Sequence, residues 1–198
     1  LTSLGFLALC FMSSTNYILN DILDKEKDRF HPEKKERSIA SGRTSVFLAT
    51  ILAIIFAVLA LILGFFLSEL FFVLLLIFFF LTQLYSLYFK DELFADIIFI
   101  STNFVLRAMA GSFILDVRLS PWLILCTFFL SLFLVVGKRK GDLSLLKKEA
   151  RKHKKVLEEY EQNISSTLLV IATTALLLSY SLYSFLSIYP QLVYSLPF

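Results

Sequence analysis

Asn20, Asp21, Asp24 and Asp28 crowd together where an apolar stretch gives way to a charged one. If the helix continues through this segment, Asn20, Asp24 and Asp28 recur at four-residue intervals. One amide and two carboxylates then project from one face over two turns. Stacked carboxylates repel each other, so the arrangement calls for a cation. Hard oxygen ligands suit Mg2+, which commonly bridges protein carboxylates to phosphates. Asn16 extends the same face one turn into the apolar stretch, where an unpaired amide is costly. Downstream, Arg29, His31, Lys34, Lys35 and Arg37 follow within a few residues. A charged loop between apolar helices is often only a topology signal, but the regular carboxylate spacing favours a metal and phosphate site.

Two further polar clusters could do chemistry. Tyr85, Tyr88 and Lys90 close one apolar stretch; interfacial Tyr and Lys are ordinary membrane anchors. Asp96, Asn103, Arg107 and Gly111 follow at spacings of seven, four and four, so they share a helix face that must turn toward a bundle interior or a wet cavity. Arg107 lies too deep to reach the interface easily, and either pairs with a buried acid or carbonyl or touches substrate. The run Gly137-Lys138-Arg139-Lys140-Gly141-Asp142 sets three cations beside an expected helix N-terminus at Asp142, a favourable place for phosphate oxygens. His31 and His153 have no Cys or His at metal spacing and read as solvated.

The elements that carry these clusters are membrane spans. Hydrophobic residues make up 58% of the 198, with 22 Phe and only 6 Gly. A bilayer core of about 30 Å takes about 20 apolar residues per helix. Six stretches qualify: 1–19, 44–67, 70–89, 93–115, 121–137 and 164–189. They are too long for barrel strands and lack period-two alternation, so the expected fold is all-α, a polytopic transmembrane bundle forming one domain over 1–198. Cys10 and Cys126 both fall in apolar stretches and read as packing residues, without a disulfide or metal role.

Charge sets the orientation. Of the 19 Lys and Arg, seventeen fall in the segments 25–43, 90–92 and 138–155, which the positive-inside rule assigns to the cytoplasm. All three polar clusters then sit at cytoplasmic helix ends of an integral protein of the cytoplasmic (inner) membrane. The first span enters from outside, so at least one upstream helix is expected before Leu1. Net charge of +3 would permit a nucleic-acid partner, but the cations sit between spans, and anionic lipid or a phosphorylated substrate fits them better. Ser120-Pro121 marks the start of the fifth span. Segment 142–161 has apolar residues at helical spacing among many cations; it suits either an amphipathic surface helix or a solvated linker. The sequon at Asn163 falls on the cytoplasmic side and is discounted.

The pattern Asn20-Asp21-x-x-Asp24-x-x-x-Asp28, leading to Arg37-Ser38-Ile39-Ala40-Ser41-Gly42, resembles the first aspartate-rich motif of UbiA-type membrane prenyltransferases. In that superfamily the motif binds Mg2+ and a pyrophosphate, which implies Asn20, Asp21, Asp24 and Asp28 as metal ligands. Most members carry a second motif, Asp-x-x-x-Asp, where this chain has Gly137-Lys138-Arg139-Lys140-Gly141. That departure, with Tyr85-Ser86-x-x-x-Lys90, Phe104 to Gly111 and Leu119-Ser120-Pro121-Trp122, is similar to the phosphoribosyltransferase branch. Ser38 stands where that branch has proline, which is expected to loosen the turn. The family has about nine helices, so six spans imply a chain lacking the first and last.

The resemblance implies transfer of a 5-phosphoribosyl group from phosphoribosyl pyrophosphate to a membrane polyprenyl phosphate, for cell-envelope precursors. It needs Mg2+ and releases pyrophosphate. Asp24, Asp28 and Lys138 are the expected catalytic residues. Asn16, Lys35, Arg37, Tyr85, Lys90, Arg107, Lys138 and Arg139 are the expected substrate contacts. A basic run in place of a second acidic motif balances the extra phosphates of such substrates. The alternatives are prenyl transfer to an aromatic acceptor, against which the missing second motif argues, and transport of an anionic lipid along Asp96, Asn103 and Arg107. Prenyl length, downstream glycan and oligomeric state, homo-oligomer included, stay open.

Overall fold

A computed structural model describes residues 1–30, 34–90, 92–117, 119–146 and 162–188. Among these residues there are only helices and connections. In order they are α1 (Thr2–Leu23), α2 (Lys25–Arg29), a 3-10 turn (Lys34–Glu36), α3 (Val46–Leu67), α4 (Glu69–Leu84), a π-helical turn (Tyr85–Phe89), α5 (Leu93–Leu115), α6 (Pro121–Leu146) and α7 (Gln162–Ile188). Six helical stretches are long and apolar enough to cross a bilayer: Thr2–Leu23, Val46–Leu67, Glu69–Phe89, Phe94–Leu115, Pro121–Gly141 and Ile164–Leu186. They coincide with the six spans read from the sequence, and the chain is an integral membrane protein.

The packing divides the chain into two units, Leu1–Phe89 with Ala110–Val117, and Lys90–Met109 with Arg118–Phe198. In the first, α1 and α3 run antiparallel through small residues. Gly5 lies near Leu67, Phe11 stacks on Phe56 at 5.6 Å, and the Thr15 hydroxyl donates to the Ala53 carbonyl at 3.2 Å. Ala49, Ala53, Ala60 and Gly64 are the buried residues of α3. Lipid supplies no hydrophobic drive between spans, so close backbone approach through small residues is what holds them. Gly64 faces α4 so closely that an added Cβ would lie 2.7 Å from the Leu75 side chain. Many large residues of α3, among them Phe47, Phe65 and Phe66, are exposed, as a surface bathed in acyl chains requires.

In the second unit Ile97 on α5 packs with Val135 and Val136 on α6, flanked by Leu168 and Leu169 on α7. Pro121 opens α6 as expected, and the Ser120 carbonyl accepts from Leu123 and Ile124.

Two expectations about the backbone change. The sequence reads as a stop at Gly137 and a new helix at Asp142, yet α6 runs unbroken to Leu146. Lys138, Arg139 and Lys140 are good helix formers, and two isolated glycines cost only about 1 kcal/mol each. The cations are therefore not at a helix N-terminus. The opening motif is also not one continuous helix. Asp24 (φ −91°, ψ 2°) is the joint between α1 and α2, although its N–H still donates to Asn20 and its carbonyl accepts from Asp28. Segment 142–161 lies outside the described residues beyond Leu146, as do His31, Arg118 and His153.

Candidate functional site

In the first unit the opening motif hangs from the end of α1. Because the i to i+4 backbone bonds persist through the joint at Asp24, helical spacing carries across it. Asp21 and Asp28, seven residues apart, return to one face. Both meet Arg37: one Nη1 donates to Asp21 at 2.6 Å and to Asp28 at 3.0 Å. Lys34 lies 3.9 Å from the other Asp28 oxygen. Asp28 is only 4% exposed, and these cations offset the cost of burying a carboxylate.

The loop that supplies Arg37 is tied down along its length. Arg29 donates to the Ala40 carbonyl at 3.4 Å, Arg43 to the Glu36 carbonyl, and the Thr44 N–H to the Ser38 carbonyl at 2.9 Å. Ile39 and Ala40 are buried. Gly42 takes φ of +79°, open to glycine without strain. The turn at Ser38 is thus closed by bonds around it. Lys35 is exposed.

The donor set suits Mg2+ in kind, as hard oxygen ligands. Among the described residues no three His, Cys, Asp or Glu side chains stand close enough together to hold a metal. The reason is visible: Asp21 and Asp28 converge on a point of positive charge, and Arg37 provides that charge. The residues fit the ion in type, being hard oxygens, and in having two carboxylates already aimed at one cation.

Asn16 sits one turn before Asn20, 3% exposed, and its Oδ1 accepts from Gln83 Nε2 at 2.8 Å. Gln83 was not singled out by the sequence, where a lone amide in an apolar run carries no spacing. Two residues later the π-helical turn begins at Tyr85, with Ser86 buried inside it. Such turns appear often at functional sites. Tyr85 is half-buried on this turn.

In the second unit Asp96, 0% exposed, is gripped from two sides of one guanidinium: Arg139 Nε donates to Oδ2 at 2.8 Å and Nη2 to Oδ1 at 3.1 Å. This parallel fork is the geometry that arginine, unlike lysine, can offer a carboxylate. Asp96 lies in the first turn of α5, whose dipole favours a negative group. Asn103 is buried on the same face, while the Arg107 guanidinium lies over the Phe104 ring at 5.6 Å. Lys140 donates to Ser166 at 3.0 Å. Lys138, just before Arg139, is exposed, and Lys90 is half-buried at the start of this unit. The cations at 138–140 therefore have different employments, and Arg139 is bound to a carboxylate.

The UbiA prenyltransferase family profile matches residues 1–198. The chain belongs to the UbiA prenyltransferase family. Within it, the chain is 32% identical over 183 residues to a protein of Mycolicibacterium smegmatis named decaprenyl-phosphate phosphoribosyltransferase, spanning 92% of this chain and 58% of that one. A protein of the same name from Corynebacterium glutamicum is 34% identical over 185 residues, again 92% of this chain and 56% of the other. The chain thus spans just over half the length of these relatives. The UbiA fold is seen directly in a homologue from Archaeoglobus fulgidus. Its structure with GPP and Mg2+ matches at a TM-score of 0.74 and 20% identity, covering 93% of this chain and 65% of that one. Its Cd2+ structure gives 0.76 and 19%, over 94% and 66%.

Proposed function

We propose that the protein transfers a 5-phosphoribosyl group from phosphoribosyl pyrophosphate to a polyprenyl phosphate in the membrane. The observation that carries the reading is the basic run Lys138 to Lys140 in a chain about one-third identical to two proteins named decaprenyl-phosphate phosphoribosyltransferase. In the reaction, the bond from the anomeric carbon to the pyrophosphate oxygen breaks and a bond to a lipid phosphate oxygen forms. Pyrophosphate departs with the electron pair. The lipid phosphate is already an anion at neutral pH, so no general base is needed, and catalysis is positioning with electrostatic stabilisation.

Asn20, Asp21, Asp24 and Asp28 would hold Mg2+, which when bound neutralises charge on the departing pyrophosphate. Arg37 and Lys35 belong to the same loop and supply cations to pyrophosphate oxygens. Exposed Lys138 and half-buried Lys90 serve phosphate groups, with Arg139 fixing the end of α6 that presents Lys138. Tyr85 offers a hydroxyl to a phosphate or ribose oxygen. The charge distribution supports a cytoplasmic active site.

The test is mass spectrometry of lipids formed by the purified protein from phosphoribosyl pyrophosphate and polyprenyl phosphates of several lengths. A phosphoribosyl lipid, formed with Mg2+ and lost in Asp24→Ala, is expected. Product from Asp24→Ala at the wild-type rate would remove Asp24 from the metal site. One observation favours a second reading: the Archaeoglobus fulgidus homologue was solved with GPP and with DMAPP. Consumption of prenyl pyrophosphate with an aromatic acceptor, and none of phosphoribosyl pyrophosphate, would select it.

A further inference from the structure

Among the described residues of the first unit, one buried side-chain polar atom has no hydrogen-bond partner, the Asn16 Nδ2. Its neighbour Thr15 shows what the same stretch does when packing alone is at stake. That hydroxyl reaches the Phe11 carbonyl at 3.0 Å and the Ala53 carbonyl at 3.2 Å. Asn16 is treated differently. Gln83 Nε2 fixes its Oδ1 at 2.8 Å, which sets the plane of the amide and leaves two N–H bonds without an acceptor at 3% exposure. An orphaned buried donor costs about 1–3 kcal/mol, and hydrocarbon offers it nothing.

Three facts limit the missing acceptor. It carries oxygen, since an isoprenoid chain has nothing to accept with. It lies one helical turn from Asn20, within reach of a molecule held by the aspartate motif. And it is neutral, because the flanking side chains Met12 and Thr15 are buried without charge, and an anion there would lack a counter-ion. A sugar hydroxyl meets all three conditions.

Building on the phosphoribosyl reading above, we propose that Asn16, oriented by Gln83, donates its free Nδ2 N–H to a ribose hydroxyl oxygen of the phosphoribosyl substrate and so selects a sugar pyrophosphate over a prenyl pyrophosphate. The selection is asymmetric. A site built to bond a hydroxyl rejects a substrate lacking it, because the buried donor is then left unpaired.

The experiment compares kcat/KM for phosphoribosyl pyrophosphate and its 2-deoxy and 3-deoxy analogues, in wild type and Asn16→Leu. Leucine is close in size and has no donor. Wild type should discriminate about tenfold or more against one deoxy analogue, and Asn16→Leu should lose that ratio while unfolding in detergent at or above the wild-type temperature. Gln83→Leu, which frees the amide without touching the donor, should lower the ratio as well and serves if Asn16→Leu does not fold. An unchanged ratio in both variants would overturn the proposal and leave the pair as helix-to-helix glue or a water site. If wild type forms no phosphoribosyl lipid at all, the functional reading itself fails and the selection falls with it.

Discussion

Arg139→Gln tests whether the fork to Asp96 holds the second unit together or serves a substrate. Asp96 is 0% exposed and the Arg139 side chain 15% exposed, with contacts of 2.8 and 3.1 Å. Taking one partner from a buried pair strands the other charge and costs about 3–5 kcal/mol. For a chain of this length each kcal/mol moves the unfolding midpoint by about 2–4 °C, so a fall of roughly 6–20 °C is expected. Replacing both residues together, as Asp96→Leu with Arg139→Leu, removes the stranded charge and should recover most of the loss, since apolar substitutes for buried pairs are often neutral or better. The assay is thermal unfolding of the detergent-solubilised protein, with lipid product formation measured alongside. A midpoint for Arg139→Gln within 2 °C of wild type, by the same estimate under about 1 kcal/mol, would refute the structural role. A double variant that regains stability yet loses affinity for the phosphorylated substrates would make Arg139 a ligand residue after all.

Arg37→Gln withdraws the cation that Asp21 and Asp28 share, so Mn2+ should bind the substrate-free protein roughly five- to tenfold more tightly, as read by electron paramagnetic resonance. Unchanged or weaker binding would mean that the guanidinium does not compete with metal. Gly64→Val sets branched carbons against Leu75 and Phe72 and should destabilise by about 1–3 kcal/mol, measured by thermal unfolding in detergent; a neutral result would show that α3 and α4 can part there.

The spans were legible because long apolar runs leave the backbone one way to satisfy itself in lipid. Their ends were legible where chemistry marks them, as Pro121 does. The unbroken end of α6 was not, because Gly137 and Gly141 read as punctuation while the helix formers between them carry the turn through. In the site, the four-residue rhythm grouped Asn20, Asp24 and Asp28, whereas the two carboxylates that share a cation in the structure are Asp21 and Asp28. The rhythm did not give Arg37, whose loop must fold back before it can reach Asp21 and Asp28. Asp96 announced that it needed a partner, being a carboxylate in an apolar run. Arg139, 43 residues away, could be named only once α5 and α6 were seen packed. Gln83 gave no signal at all, since its meaning lies in the Asn16 amide across the helix pair.

The grip of Arg37 on Asp21 and Asp28 makes the motif a clasp as well as a candidate metal site. The segment it restrains carries Lys34, Lys35, Arg37 and Arg43, each a bond that trypsin cuts when the backbone can be drawn out. Tryptic cleavage of that segment should therefore quicken when Arg37 is released from the carboxylates, a readout independent of turnover. Asp28, which meets both Lys34 and Arg37, is then a position where one substitution alters two traits, ion binding and resistance of the loop to cleavage.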